Sequence, residues 1–167
     1  MFRPMICIAV LCFFASCSST RYYVVRHAEK AAPTGNMTSD VPLSEAGSSR
    51  ALALRDSLGG HAINTLWSSN TIRTRSTLQP YSTQSGIPIR VYSNDSLDHY
   101  ISRWKSARGN LLIAGHSNTV DNIVNALLGQ STLTDLPDSQ YGDLFVVHRK
   151  KGLFKTRIWL ERKRFGK

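Results

Sequence analysis

The sequence predicts an α/β fold: a three-layer sandwich with a mostly parallel sheet, helices on both faces and a C-terminal β-hairpin. Three observations predict it. Short β-favouring apolar runs alternate with stretches of helical period. Some runs, such as NLLIAG at 110–115, are apolar throughout, as strands covered on both faces are. Two further runs close the chain with only KKG between them, a hairpin pattern. A chain of 167 residues has room for one domain and one sizeable core. Its 41% apolar and 19% charged composition is that of a globular protein, not a disordered one.

In chain order, residues 1–16 precede the fold. MFRPMICIAVLCFFASC opens with one arginine and continues in an apolar run from Met5 to Ala15, too short to span a bilayer and of signal-peptide proportions. FASC resembles a lipobox, which makes Cys17 the lipid-bearing residue and 17–20 a short tether to a folded domain at 21–167. A plain secretory signal and an uncleaved buried helix are the alternatives. The three cysteines, Cys7, Cys12 and Cys17, all lie in this stretch, so the body has neither a disulfide framework nor a thiolate metal site. The expected location is the bacterial cell envelope, lipid-anchored in the periplasm or on the outer face.

The first strand is expected at 21–25, followed by a Gly/Pro/Asn-rich loop at 33–42. A helix over 43–60 is capped by Ser44, stopped by Gly59-Gly60, and carries Gly47, Ala51, Leu54 and Leu58 on one face. Strand 63–67 leads into helix 70–84, with a kink or break expected at Pro80. Strand 87–92 contains a proline and so belongs near an edge. A helix over 95–107 leads to the apolar strand 110–115. The helix at 118–128 has the clearest stripe: Val120, Ile123, Val124, Leu127 and Leu128. The runs 143–149 and 153–160 form the hairpin.

The net charge of +10 is uneven: residues 149–167 hold nine Lys and Arg against Glu161 alone. A solvated hairpin and tail is the plain reading; contact with anionic lipid head groups is the sharper one. Nucleic acid is not an expected partner, because no binding motif or interleaved aromatic pattern accompanies the charge.

In parallel sheets, ligands bind beyond the carboxyl ends of the strands. Three polar clusters stand there. The first strand ends in Arg26-His27. The second runs into SSNTIRTRST, with Arg73 and Arg75. The fourth ends in GHSNT, with His116. Two of these clusters open helices, whose free N–H groups favour an anion. Histidines, arginines and helix N-termini together describe a phosphate-sized pocket. The body has no cysteine, no G-x-S-x-G elbow, no P-loop and no metal-ligand spacing. A neutral imidazole surrounded by cations can itself attack phosphorus. No metal and no cofactor is expected.

VVRHAEK, SSNTIRTRST and GHSNT, in that order, resemble the histidine phosphatase superfamily, the fold of the phosphoglycerate mutases. The resemblance covers residues 21–148. It implies that His27 is the nucleophile and becomes phosphohistidine, that Arg26 and Arg73 hold phosphoryl oxygens, and that His116 hydrogen-bonds the phosphoryl group. Arg73 matches the arginine of the family pattern S-S-x-x-x-R-x-x-x-T, counted from Ser68 to Thr77; Arg75 does not, and reads as a surface charge. Asn118 fits a helix N-cap or a substrate ligand. Glu29 fits a carboxylate that orients Arg26 or another pocket cation, or an exposed residue. His61, His99 and His148 lie outside the motifs.

The departure from the family concerns the proton donor. The expected glutamate after the third strand is absent, and the position after the second histidine is Ser117. Asp95 is the nearest candidate acid, with an N-cap role as the alternative. An alkoxide leaving group needs a proton, whereas a phosphoramidate depends less on a placed acid. The expected function is therefore a metal-independent phosphohydrolase acting on phosphomonoesters or phosphohistidine. The alternative is a phosphate-binding lipoprotein without turnover.

Overall fold

Alternation along the first strand decides the architecture. In a computed structural model describing residues 18–33 and 40–166, β1 (Ser18–Arg26) sends Tyr22 and Val24 to one face and Tyr23 and Val25 to the other, all buried. Each set seeds its own core. Tyr22 and Val24 pack with Ile101 and Trp104 of α3 (Leu97–Ser106) and with the apolar stripe of α4 (Ser117–Leu128). Tyr23 and Val25 pack with Leu54 and Leu58 of the α1 region (Glu45–Ser57) and with Leu78 and Tyr81 of α2 (Ile72–Ser85). Helices thus cover both faces, the three-layer arrangement the sequence predicts.

The sheet has six strands in the order β3-β2-β4-β1-β5-β6, with β2 at Ile63–Ser69, β3 at Ile89–Tyr92, β4 at Asn110–Gly115, β5 at Asp143–Lys151 and β6 at Thr156–Arg164. The β3-β2-β4-β1 half is parallel. β5 and β6 join antiparallel, so the sheet is mixed. β3 lies at an edge and begins just after Pro88. Among the described residues, both cores and the sheet are built from 18–165. The expected signal and the lipidated Cys17 lie outside the described residues.

Three expectations change. Residues 18–20, read as a tether, are strand: Ser18, Ser19 and Thr20 pair with Lys151, Lys150 and Arg149. The local sequence is too polar to announce this; the partner strand supplies it. The hairpin turn is Gly152–Lys155 rather than KKG, and β6 runs on to Arg164, so most of the expected basic tail is an edge strand. Pro80 lies inside α2 without ending it.

Gly47 is a required glycine. A Cβ there would meet the Glu29 carbonyl oxygen, because α1 packs directly on the loop that follows Arg26-His27. The same carbonyl accepts from the Ser44 backbone N–H at 2.9 Å, while Ser44 Oγ caps the helix by accepting from Gly47 N–H at 3.0 Å.

Candidate active site

The carboxyl ends of β1, β2 and β4 bring the three motifs together. His27 follows β1 directly, and its backbone N–H donates to Gly115 O of β4 at 2.9 Å. Its ring lies 5.4 Å from the His116 ring, centroid to centroid, nearly edge-on. Arg26 and His27 are 7% and 5% exposed, far below what such polar side chains show at a surface.

The His27 Nδ1 lies 2.8 Å from its neighbour's carbonyl, Ala28 O. A carbonyl only accepts, so Nδ1 carries the proton and Nε2 carries the lone pair. Burial holds the His27 pKa at about 4, assisted by the charges of Arg73 and Arg26 and by His116 and opposed by the Ala28 bond. The ring is therefore neutral near pH 7. His116 is likewise lowered to about 4, by burial and then by Arg73 and Arg26, with Asp40 opposing.

His116 is the N-cap of α4, so Asn118 is not the cap: it is exposed in the first turn, and its carbonyl accepts from Asn122. The Thr119 hydroxyl receives the His116 N–H at 2.9 Å. Arg73 Nη2 approaches His116 Nδ1 at 3.4 Å, and His116 Nε2 lies 2.8 Å from Ser69 Oγ. A guanidinium only donates, so the His116 proton sits on Nε2 and goes to Ser69. In this network His116 holds Arg73 rather than offering its own proton to the pocket.

Two loops hold the arginines. Arg26 Nη1 donates to the carbonyls of Pro137, Gln140 and Asp138 at 2.8, 3.2 and 3.3 Å. Its guanidinium lies 4.4 Å from the centre of the Tyr141 ring. Its Nε–H is buried with no partner among the described residues. Arg73 Nη1 pairs with Asp40 at 3.6 Å, and Asp40 also accepts the Ile72 N–H at 2.8 Å. Thr77, the last residue of the second motif, receives the Ala28 N–H at 2.9 Å and donates to Arg73 O at 2.8 Å. That one hydroxyl ties the first motif to the second.

The weaker candidates separate. Glu29 grips Arg50, with Nη2 at 2.6 Å and Nε at 2.8 Å, and Arg50 in turn donates to Phe165 O and Gly166 O. The Arg50 bond and charge keep the Glu29 carboxyl below its usual range against the opposing effect of burial. Glu29 therefore orients Arg50, not Arg26, and is no open substrate ligand. Arg75 bonds Asn70 at the surface. Asp95 follows β3 at the same sheet edge, but it is exposed and no hydrogen bond or ion pair among the described residues joins its side chain to the pocket. The cap of that turn is Ser93, whose Oγ receives the Asp95 N–H, so the N-cap alternative fails as well.

Sequence reasoning missed Asp40, Ser69, Pro137 and Tyr141. Ser69 was within the motif. The others lie in loops whose spacing carries no period, and only the fold brings them to the arginines.

Comparison with known proteins agrees with this geometry. Residues 22–98 match the family model of the histidine phosphatase superfamily (branch 1). No curated protein matches the chain. A protein from Agrobacterium tumefaciens described as a phosphohistidine phosphatase SixA superposes with a TM-score of 0.62 at 21% identity, covering 86% of this chain and 97% of that one. The protein histidine phosphatase SixA in complex with tungstate gives 0.62 at 17% identity, over 84% and 95%. A mycobacterial glucosyl-3-phosphoglycerate phosphatase gives 0.57 at 16%, over 78% and 91%. At these identities the likeness concerns the fold. The family model over residues 22–98, the ordered motifs and the fold all point to a phosphatase like those of the histidine phosphatase superfamily.

Proposed function

We propose that the chain hydrolyses phosphoryl groups through a phosphohistidine on His27 Nε2. It acts on phosphohistidine and other substrates with labile leaving groups ahead of alkyl phosphomonoesters. The observation that carries this reading is the His27 Nδ1–H bond to Ala28 O, which leaves a neutral imidazole with its lone pair on Nε2. In the first step Nε2 forms a bond to phosphorus while the P–N or P–O bond to the leaving group breaks. Arg26 and Arg73 neutralise the phosphoryl oxygens. In the second step water attacks phosphorus, the N–P bond breaks, orthophosphate leaves, and the Nε2 lone pair returns.

The acid side of the site favours a labile leaving group. Asp95 is exposed and unconnected to the pocket. Asp40 pairs with Arg73 and Asp138 with Arg26. The His116 proton is directed to Ser69. No carboxyl in this set is poised to protonate an alkoxide, whereas a phosphorylated imidazole can take a proton from solvent on its other ring nitrogen before the P–N bond breaks, and so depends less on a placed acid. The description of one structural neighbour as a protein histidine phosphatase is consistent with this preference. We also propose export and lipid anchoring at Cys17, supported by the apolar run and the FASC motif.

The experiment compares phosphate release from a phosphohistidine peptide and from an alkyl phosphomonoester, with His27→Ala beside the wild type. The expected result is a clear preference for the phosphoramidate and no turnover of either by the variant. Turnover by His27→Ala would refute the intermediate. Equal turnover of both substrates by the wild type would refute the preference.

A further inference from the structure

The two ends of the β5–β6 hairpin differ in how they hold their charge. At the catalytic edge Arg162 pairs with Asp143, Lys163 with Glu161, and Arg164 donates to Tyr141 O. At the opposite end the turn exposes Leu153 at 66% and Phe154 at 95%. Lys150, Lys151, Lys155 and Arg157 surround that tip, all exposed, and none has a side-chain hydrogen bond or ion pair among the described residues. Beside the tip, Ser18, Thr20, Lys105, Arg108, Arg149 and Lys151 line a polar basin of about 420 Å³. The Arg149 guanidinium donates to the Lys105 carbonyl there. Residues 102–110 and 149–160, which supply these cations, contain no aspartate or glutamate.

We infer that this base is a docking surface for an anionic lipid bilayer. Leu153 and Phe154 enter the interfacial region, and the surrounding lysines and arginines meet head-group phosphates. Exposed apolar side chains ringed by long cationic ones suit such an interface, because the aliphatic stems follow the apolar tip while the charges stay at the phosphates. β1 also begins here: Ser18 pairs with Lys151, and the apolar run Met5–Ala15 stands only shortly upstream in the sequence. β1 runs from this base to the catalytic edge, so at about 3.3 Å per residue His27 stands roughly 26–30 Å from the base. The active site then faces away from the membrane, open to soluble substrates. Of the basic segment 149–167, only the part around the turn faces this base: residues 161–164 lie at the opposite end of β6.

The test is vesicle flotation of residues 18–167, which contain both cores and the whole sheet. Vesicles of phosphatidylcholine with phosphatidylglycerol are compared with phosphatidylcholine alone, and circular dichroism checks that each variant is folded. The protein is expected to float with anionic vesicles and not with neutral ones. Phe154→Ser should weaken partitioning several-fold. Combining Lys150→Gln, Lys151→Gln and Lys155→Gln should weaken it on the order of a hundredfold. A control that changes Arg55, Arg75 and Lys163 to Gln should retain binding within a small factor. Failure of the wild type to float, equal flotation with neutral vesicles, or equal loss in the control would overturn the inference.

Discussion

The catalytic edge and the base of the sheet carry the same residue types and hold them in opposite ways. Arg26 has three carbonyls and an aromatic face around it, and Arg73 has Asp40 and His116. Lys150, Lys151, Lys155 and Arg157 stand in solvent. Tethered cations cannot move away from one another and do two things there: they present fixed donors to an anion, and they add to burial in keeping the neighbouring imidazoles neutral. Solvated cations do neither, but they can adapt to a surface. The difference teaches that function in this chain follows from what fixes a charge, not from how many charges a segment contains.

The largest expected effect comes from removing the atom on which the catalytic edge converges. His27→Ala should lower kcat by at least roughly three orders of magnitude, as nucleophile deletions do, with the fold intact by circular dichroism. Next is Arg73→Lys, which keeps the charge but loses the planar fork between Asp40 and His116. A loss of about a hundredfold in kcat/KM is expected, and a near-normal value would show that the tether is unimportant.

Gly47→Ala sharpens the comparison differently, by pushing α1 off the Glu29 carbonyl. It should cost roughly 1–3 kcal/mol in denaturant unfolding and reduce activity as well, because the displaced loop carries His27.

The pH dependence follows from the two lowered imidazoles. Their folded pKa values, about 4, lie below the unfolded value of 6.5. Between those limits the unfolded chain binds more protons, so this contribution to stability is fully present above 6.5 and is lost as pH falls towards 4. Chemical denaturation from pH 7 to 4 should show that fall, and His27→Gln with His116→Gln should flatten it. The nucleophile itself should remain unprotonated down to about pH 4. The smallest effect belongs to Asp95→Asn. An exposed carboxylate unconnected to the pocket should change kcat less than about threefold, against the 10²–10⁴ of a true general acid.

How much of this was legible in the sequence depended on period and on motif. β4 and α4 were readable almost to the residue because their apolar patterns extend to their ends. Arg26, His27, Arg73 and His116 stood out because each follows a buried strand. Residues 18–20 were not legible as strand, since Ser-Ser-Thr acquires its conformation only from pairing with Lys151, Lys150 and Arg149. Asp40 and Tyr141 carry no local signal; their partners stand 33 and 115 positions away. For Glu29 the sequence leaves a cation-orienting carboxylate and an exposed residue both open; the fold decides, because the cation that α1 presents to it is Arg50.

The most direct test of the account is to trap the intermediate. Enzyme mixed with acetyl phosphate or a phosphohistidine peptide is quenched in base, where phosphohistidine survives, and digested for mass spectrometry with isomer assignment. The account predicts one phosphoryl group, on His27, at Nε2, the nitrogen that the Ala28 bond leaves free. A phosphoryl group on Nδ1 or on His116, or turnover with no phosphohistidine formed, would contradict it.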